Sequence, residues 1–253
     1  MRPLRVTAWL GGPWIDHGHP IHLDGLLALA WYRRHPQYAG VSRLDDVAEL
    51  HDPHLPIGKV VSGDAWCWLA SAAIASEPES PAVVHQTRRR DPEDWDRLDR
   101  PVSVAAGPSK DVMLRRAGRL THSVTWYAYG NRRQVVRDLR LLWGREQSPH
   151  GAIGSARRSG SGQIVRWSVE VVDHDAEACL VSPGGMARRH IPLAWIDESE
   201  RIVSGAHRPP YWHPGRQCDV PAMSTRVRLR PIVAGDLLSW TDDRRELVSR
   251  SGA

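Results

Sequence analysis

The chain has 253 residues, of which 41% are hydrophobic and 25% are charged, so it should bury a real core. Its formal net charge is +5, which is too moderate to prove a polyanionic partner. It has no run of about 18 apolar residues, and its start lacks the apolar region of a secretory leader. We therefore expect a cytoplasmic, soluble protein without a membrane segment.

Two features of the composition bear on chemistry. Only Lys59 and Lys110 are lysines, so nearly all the positive charge is arginine, whose planar fork binds phosphate and stacks on bases. A GC-rich genome would explain the same bias, and composition alone does not separate the two explanations. Cys67, Cys179 and Cys218 are far apart and form no CxxC pair, so we expect reduced structural thiols and neither a zinc site nor a disulfide framework.

The first predicted elements are a strand and a buried helix. Apolar residues alternate with others over residues 4–10, which predicts a strand. After a turn-rich loop, the run LDGLLALAWYRRH predicts a helix over 23–35 that Asp24 can cap. Residues 57–75 then predict one or two strands, interrupted near Gly63.

Residues 85–119 are rich in arginine and poor in apolar periodicity, so we expect an exposed excursion, a β-hairpin or a loop, built for contact. The β-branched and aromatic run over 120–130 predicts a strand. Asn131, with Gln134 three residues on, predicts a capped helix with one apolar face. The cationic stripe on that helix consists of Arg133, Arg137 and Arg140.

A glycine-rich basic loop over 148–162 precedes the last predicted strand, in which Val165, Trp167, Val169 and Val171 alternate with Ile164, Arg166, Ser168 and Glu170. The order strand, helix, two strands, helix, strand predicts an α+β fold. The specific expectation is a ferredoxin-like antiparallel sheet with helices on one face. We expect this core over residues 1–172, with the excursion inserted, and an irregular or β appendage over 173–253.

The glycine-rich loop is the most informative segment. Its glycines leave backbone amides sterically open and its arginines supply charge, so the loop can cradle a phosphate backbone. A flexible linker between helix and strand explains the composition equally well. The loop lacks the Gly-Lys-Ser/Thr of a Walker A motif and does not open a helix, which disfavours a nucleotide cofactor.

Four arginine clusters with interleaved Trp, Tyr and His residues favour RNA or another single-stranded nucleic acid as their common partner. Each cluster alone is more often a solvated surface. The candidate RNA-binding residues are His22, Arg88, Arg89, Arg90, Arg115, Arg116, Arg119, Arg132, Arg133, Gly151, Gly154, Ser155, Arg157, Arg158, Gly160, Ser161 and Gly162.

A metal site is one catalytic alternative. Asp16, His17, His19, His22 and Asp24 form the one dense group of potential ligands, but a loop rich in Gly and Pro does not assure the fixed geometry that a metal requires. In the competing interpretation Asp24 caps the helix and the histidines are surface or RNA contacts.

Metal-independent RNA cleavage is a second alternative, for which His22, Tyr32 and His35 near the first helix could serve. The chain has 13 histidines, so such coincidences are frequent, and no residue triplet is specific. We therefore expect no catalytic residues, no metal and no cofactor.

The ordered combination of LRVTAWL, HLDGLLALAWYRR, WYAYGN before a helix, and AIGSARRSGSGQIVRWSVEVV resembles the RAMP subunit of type IV CRISPR systems, the Cas-five-like member. The resemblance covers most of residues 1–172 and continues weakly at 208–214. It implies a fold like the RNA-recognition motif, a thumb-like excursion within 85–119, and a glycine-rich loop at 151–162. Basic residues more usual in that loop are replaced here by Ser155 and Ala156.

The resemblance implies a non-catalytic, RNA-binding subunit of a ribonucleoprotein effector that caps the 5′ handle of the guide RNA. Its other partners would be a repeated RAMP backbone subunit and a large or small effector subunit. A RAMP endoribonuclease that processes guide RNA and a metal-dependent hydrolase remain the alternatives.

Overall fold

The structure, a computed structural model, describes residues 1–15, 19–38, 52–77, 79–88, 112–155, 157 and 160–238. The α-helices are α1 (Leu23–Arg34), α2 (Arg132–Trp143) and α3 (231–238). The strands are β1 (Arg2–Leu10), β2 (Lys59–Ser62), β3 (Ala65–Trp68), β4 (Ile74–Ala75), β5 (Ser80–Arg88), β6 (Val112–Leu120), β7 (Ser123–Gly130), β8 (Gly144–Arg145), β9 (Ser148–Pro149), β10 (Ile164–Val171), β11 (Ile196–Ser199), β12 (Ile202–Gly205), β13 (Cys218–Pro221) and β14 (Val227–Leu229).

The central sheet has four strands in the order β10, β1, β7, β4, and each neighbouring pair is antiparallel. Strand β1 lies in the middle, where Leu4 is opposite Val171 of β10 and Ala128 of β7. Its alternating Leu4, Val6 and Ala8 are fully buried in one core with apolar residues of α1 and α2. The predicted first strand and the α+β class are confirmed.

Helix α1 is where predicted, but its capping differs. The N-cap residue is His22, whose side chain makes no capping hydrogen bond. Asp24 lies inside the first turn and is fully buried, with its carboxylate 3.4 Å from the guanidinium of Arg189. The prediction that Asp24 caps the helix is therefore wrong, because this carboxylate pairs with a distant cation.

Helix α2 agrees with the prediction from its sequence in its cap, its apolar face and its cationic stripe. The side-chain oxygen of Asn131 accepts a hydrogen bond from the backbone N–H of Gln134 at 3.2 Å, which confirms the predicted cap. Val135, Leu139 and Trp143 are buried on the side of the sheet. The three arginines of the predicted cationic stripe are all exposed.

Strand β10 carries a β-bulge beside the glycine-rich loop. Trp9 of β1 is opposite Arg166, but the next residue, Leu10, is opposite Ile164, so Val165 is an extra residue on β10. Val165 is consequently 52% exposed, whereas Ile164 is buried. The alternation predicted from the sequence, which put Val165 on the same face as the later valines, is wrong because a bulge resets it.

The arginine-rich excursion contains a separate two-stranded hairpin of β5 and β6. Ser80 is opposite Leu120 at its base, and Arg88 is opposite Val112 at the far end. The hairpin prediction is confirmed for these two strands, although β5 begins at Ser80, before the predicted boundary at residue 85. Residues 89–111 lie outside the described part of the chain.

The C-terminal part, residues 173–238, contributes to a second core. Strand β11 pairs with β14, and β12 pairs with β13. Leu180 and Trp195 pack with Val60 of β2 and with Tyr129 of β7. Side chains alternate along β7, so the strand faces the helices with one set and this second core with the other. The predicted appendage thus covers part of the sheet.

The thiols of Cys67 and Cys179 are buried, that of Cys218 is exposed, and none forms a disulfide. Burial raises the pKa of Cys67 to about 12, which keeps this thiol protonated and unreactive. No helix among the described residues is long and apolar enough to cross a membrane.

Candidate nucleic-acid interface

Residues 11–15, which follow β1, join two of the predicted clusters, and we call them the linking segment. On one side Trp14 and Arg119 of β6 exchange both backbone hydrogen bonds, each at 2.8 Å. On the other side the N–H of Ser155 donates to the carbonyl of Ile15, and the N–H of Gly162 donates to that of Pro13, each at 2.7 Å. The base of the hairpin and the glycine-rich loop therefore meet at one end of the sheet.

Close packing explains most of the glycines in the loop. Gly154 and Gly162 have positive φ angles of +79° and +63°, and a Cβ at either would overlap a carbonyl oxygen, that of Ile15 or Ile153 respectively. A Cβ at Gly151 would lie 2.7 Å from the Cα of Trp143. These glycines let the loop lie directly against its neighbours.

The expectation that the loop exposes its amides is corrected at three positions. The N–H groups of Ser155 and Gly162 donate to the linking segment, and that of Gly160 donates to the carbonyl of Arg157 at 3.1 Å. Ser161 is 1% exposed, and its hydroxyl has no hydrogen-bond partner among the described residues. The side chain of Arg157 is exposed, while Arg158 lies outside the described residues.

The hairpin arginines divide between two faces. Arg115 and Arg119 lie four residues apart in β6 and share one face, whereas Arg116 points to the other. The guanidinium of Arg119 lies 4.7 Å from the ring centre of Trp14 and forms a 2.8 Å ion pair with Glu79. Arg115 is exposed. Arg88 is the last residue of β5, and the structure describes only its backbone. Arg89 and Arg90 lie outside the described residues.

Two further residues at this end of the sheet were missed by the sequence reasoning. The guanidinium of Arg166 in β10 stacks on the indole of Trp9 in β1, 3.8 Å from the ring centre. Both side chains lie on the face of the sheet opposite the helices, and Arg166 is exposed. The alternation in β1 does indicate that Trp9 faces away from the buried apolar residues. That Arg166 is its neighbour follows only from the register between β1 and β10.

Arg132 and Arg133 lie at the other end of the sheet. The pair Arg2 and Gly130 marks that end, and the pair Trp9 and Ser123 marks the end with the linking segment. The two pairs are seven strand residues apart, about 23 Å at roughly 3.3 Å per residue. The Nε of Arg132 donates to the carbonyl of Val169 at 2.7 Å, and Arg133 is exposed. The predicted arginine clusters therefore do not share one surface.

His22 is not a surface residue. It is 3% exposed, and its ring stacks on that of Tyr211 with 4.4 Å between centroids. Neither ring nitrogen has a hydrogen-bond partner among the described residues, and burial lowers its pKa well below the usual value. The prediction that His22 lies at the surface is wrong, because the C-terminal part covers the ring.

The histidines considered for catalysis do not converge. His22 precedes α1 and His35 follows it, so they are about 20 Å apart at 1.5 Å per residue. The Nδ1 of His35 is 2.9 Å from the carbonyl of Trp31. Asp16 and His17 lie outside the described residues, and no group of three potential metal ligands occurs within the part that the structure describes.

Asp24 belongs to a buried polar cluster around Arg189, which is 0% exposed. The guanidinium of Arg189 donates to the carbonyls of Ala70 at 2.7 Å and His207 at 2.6 Å, besides pairing with Asp24. The hydroxyl of Tyr211 donates to Asp24 at 2.5 Å. This cluster ties α1 and the strands before β4 to the C-terminal part.

The electrostatics of the cluster favour a charged arginine. Burial raises the pKa of Asp24, while Arg189 and the hydrogen bond from Tyr211 act against that rise. Burial alone lowers the pKa of Arg189, but Asp24, Tyr211 and Cys67 together outweigh burial, and the pKa of Arg189 is raised. Burial also raises the pKa of Tyr211, so its hydroxyl remains a donor.

The resemblance found in the sequence, to a subunit of type IV CRISPR systems, is confirmed by comparison with known families. The model of the family CRISPR type IV associated protein Csf3 matches residues 2–107. The matched region includes β1, the linking segment, α1 and β5, and stops before the glycine-rich loop. No curated protein matches the chain.

Proposed function

We propose that the chain is a non-catalytic, RNA-binding subunit of a type IV CRISPR ribonucleoprotein effector, where it caps the 5′ handle of the guide RNA. The observation that carries the proposal is the linking segment, which holds the base of the arginine-bearing hairpin against the glycine-rich loop. The family match supports the CRISPR assignment. Handle capping is the role that the resemblance implies.

The central sheet supports a ferredoxin-like core. Helix α1 lies between the first two strands of the sheet in chain order and α2 between the last two, which gives the order βαββαβ. The antiparallel sheet order of fourth, first, third and second strand agrees with this arrangement. In RNA-recognition motifs, which share this fold, aromatic side chains on the open sheet face stack on bases. We expect Trp9, with Arg166 stacked on it, to take that role.

Three exposed arginines at this end of the sheet supply the charge for phosphates. They are Arg115 on the hairpin, Arg157 in the loop and Arg166 on β10. None of them forms an ion pair with another described residue. An unpaired surface guanidinium can neutralise a phosphate and release its counterion, so RNA affinity should depend on salt.

Docking on the repeated backbone subunit, and on a large or small effector subunit, is the second part of the proposal. Apolar side chains are exposed close to the RNA surface, at Val165 on the bulge (52%) and at Leu114 on the hairpin (43%). We expect neighbouring subunits to cover them, because the removal of apolar surface from water stabilises association.

The combined substitution of Arg115→Gln and Arg157→Gln tests the RNA surface. We expect weaker binding of a single-stranded RNA that carries the repeat-derived 5′ handle. A plot of log affinity against log salt should flatten by about 1.4, since each lost contact on a single strand removes about 0.7. Fluorescence anisotropy over a series of KCl concentrations measures both quantities.

A matched control removes the same charge elsewhere. Arg33→Gln with Arg228→Gln changes two exposed arginines on α1 and β14, and should leave the affinity and the salt slope as in the wild type. Equal losses in both double variants, or a wild-type affinity that does not change with salt, would contradict the proposal. RNA recovered from the titration should run uncut on a denaturing gel, whereas discrete products would contradict a non-catalytic role.

A further inference from the structure

A cavity of about 780 Å³ lies between the N-terminus of α1 and the C-terminal part of the chain. Its lining includes His22, His190, Arg201, Tyr211 and Trp212, and no lining residue is a carboxylate. From this lining we propose that the cavity binds one unpaired nucleobase of the guide RNA. The proposal rests on the RNA-binding function proposed above and adds a site for a single base.

His190 offers the cavity a hydrogen-bond acceptor. Its Nδ1 is 3.1 Å from the carbonyl oxygen of Ala206, and a carbonyl only accepts, so Nδ1 carries the proton. Burial lowers the pKa of His190, which keeps the ring neutral. The Nε2 of a neutral ring with a protonated Nδ1 is an acceptor, and no described residue donates to it. An exocyclic amine or a ring N–H of a base matches it.

Aromatic rings provide the stacking surface. Trp212 is 49% exposed although it is a large apolar side chain at the wall of the cavity. Tyr211 and His22 also line the cavity and stack on each other, with an angle of 15° between their planes. His22 is buried, and neither of its ring nitrogens has a hydrogen-bond partner among the described residues.

The cavity also adjoins the proposed RNA surface. A second cavity, lined by Trp14 and Arg119, shares His19, Pro20 and Met223 with the first. A strand of RNA bound at the linking segment can therefore extend one base into the neighbouring cavity. Arg201 is exposed and forms no ion pair with a described residue, so it can meet the adjoining phosphate.

A substitution cycle tests the site with the full chain and a single-stranded handle RNA. A fluorescent 2-aminopurine is placed at each position in turn, and the base that enters the cavity should be the one whose fluorescence changes on binding. Trp212→Ala should abolish that change and weaken binding by about tenfold, within the range for loss of one stacked base. Trp212→Phe should restore both.

The cycle is completed by an abasic sugar at the responsive position. The wild type should bind the abasic RNA about tenfold more weakly than the intact RNA. The variant Trp212→Ala should bind the abasic and the intact RNA with equal affinity. Tyr38→Ala, which alters an exposed aromatic residue after α1, should behave as the wild type. Equal losses in wild type and Trp212→Ala, or no responsive position in an RNA that binds, would overturn the base site. Failure of the wild type to bind RNA would overturn the function on which it rests.

Discussion

Two regions of this molecule use arginine in opposite ways. In the interior, Arg189 is completely buried, paired with Asp24 and bonded to backbone carbonyls. At the end of the sheet with the linking segment, Arg115 and Arg157 are exposed and have no ion pair with another described residue. The density of arginine in the sequence does not separate the two uses. Burial and a nearby carboxylate do, because a buried charge requires a partner and an exposed one is available to a ligand.

The largest effect expected from this difference is on stability. Arg189→Met leaves Asp24 buried without its cation and should lower the free energy of unfolding by about 3–5 kcal/mol. The exposed counterpart, Arg115→Met, should change it by less than about 0.5 kcal/mol. Urea denaturation followed by tryptophan fluorescence measures both. Similar values for the two variants would mean that the buried cluster does not hold the C-terminal part in place.

Two glycines of the glycine-rich loop test how the exposed region, at the end of the sheet with the linking segment, is held in place. Gly160 and Gly162 both have positive φ angles, but only a Cβ at Gly162 would overlap a neighbour, the carbonyl of Ile153. Gly160→Ala should cost about 1 kcal/mol for the left-handed conformation, and Gly162→Ala at least about 2 kcal/mol, because the loop must also shift.

The same two variants should differ in RNA binding. Displacement of the loop in Gly162→Ala should weaken RNA binding in the anisotropy assay, whereas Gly160→Ala should retain it. If the two alanine variants were equally stable and bound RNA equally well, close packing of the loop would not be what positions it.

The pH dependence of the interior should be a smaller effect than the losses of stability in Arg189→Met and Gly162→Ala. Burial, and then the nearby Arg189, lower the pKa of His207 to about 4. Below the ordinary value near 6.5 the unfolded chain takes up a proton that folded His207 does not, so stability falls as the pH falls from about 6.5 to 4. Between pH 7.5 and 5.5 this histidine should account for about 1.4 kcal/mol.

His207→Asn removes that contribution. Denaturation at the two pH values should show a smaller loss of stability on acidification in the variant than in the wild type. The buried His22 and His190, whose pKa values are also lowered, should leave part of the pH dependence in place. Identical pH dependence in variant and wild type would show that His207 accepts its proton in the folded state.

Local patterns predicted the elements well. Alternation in β1, the cap at Asn131 and the apolar face of α2 each depend on residues within a few positions of one another, and the structure confirms them. The bulge at Val165 was not predictable from alternation, because it arises from pairing with β1.

The candidate site was predictable only in part. The sequence predicts the glycine-rich loop and the arginine hairpin, but for the linking segment that joins them it predicts only a turn-rich loop. The role given to the glycines was also incomplete, since contacts with Ile15 and Pro13 lie far away in sequence. The local sequence predicts that Asp24 caps α1, because nothing near it in the chain indicates its partner Arg189, which is 165 residues away. Contacts of this kind leave no periodic signal.

The backbone hydrogen bonds of the linking segment make the hairpin and the glycine-rich loop parts of one mechanical unit. Trp14 is fixed to Arg119 on one side, and Pro13 and Ile15 are fixed to the loop on the other. A force that swings the hairpin about its base must either carry the loop along or break these bonds. A tilt of the hairpin about its base should therefore displace the glycine-rich loop as well.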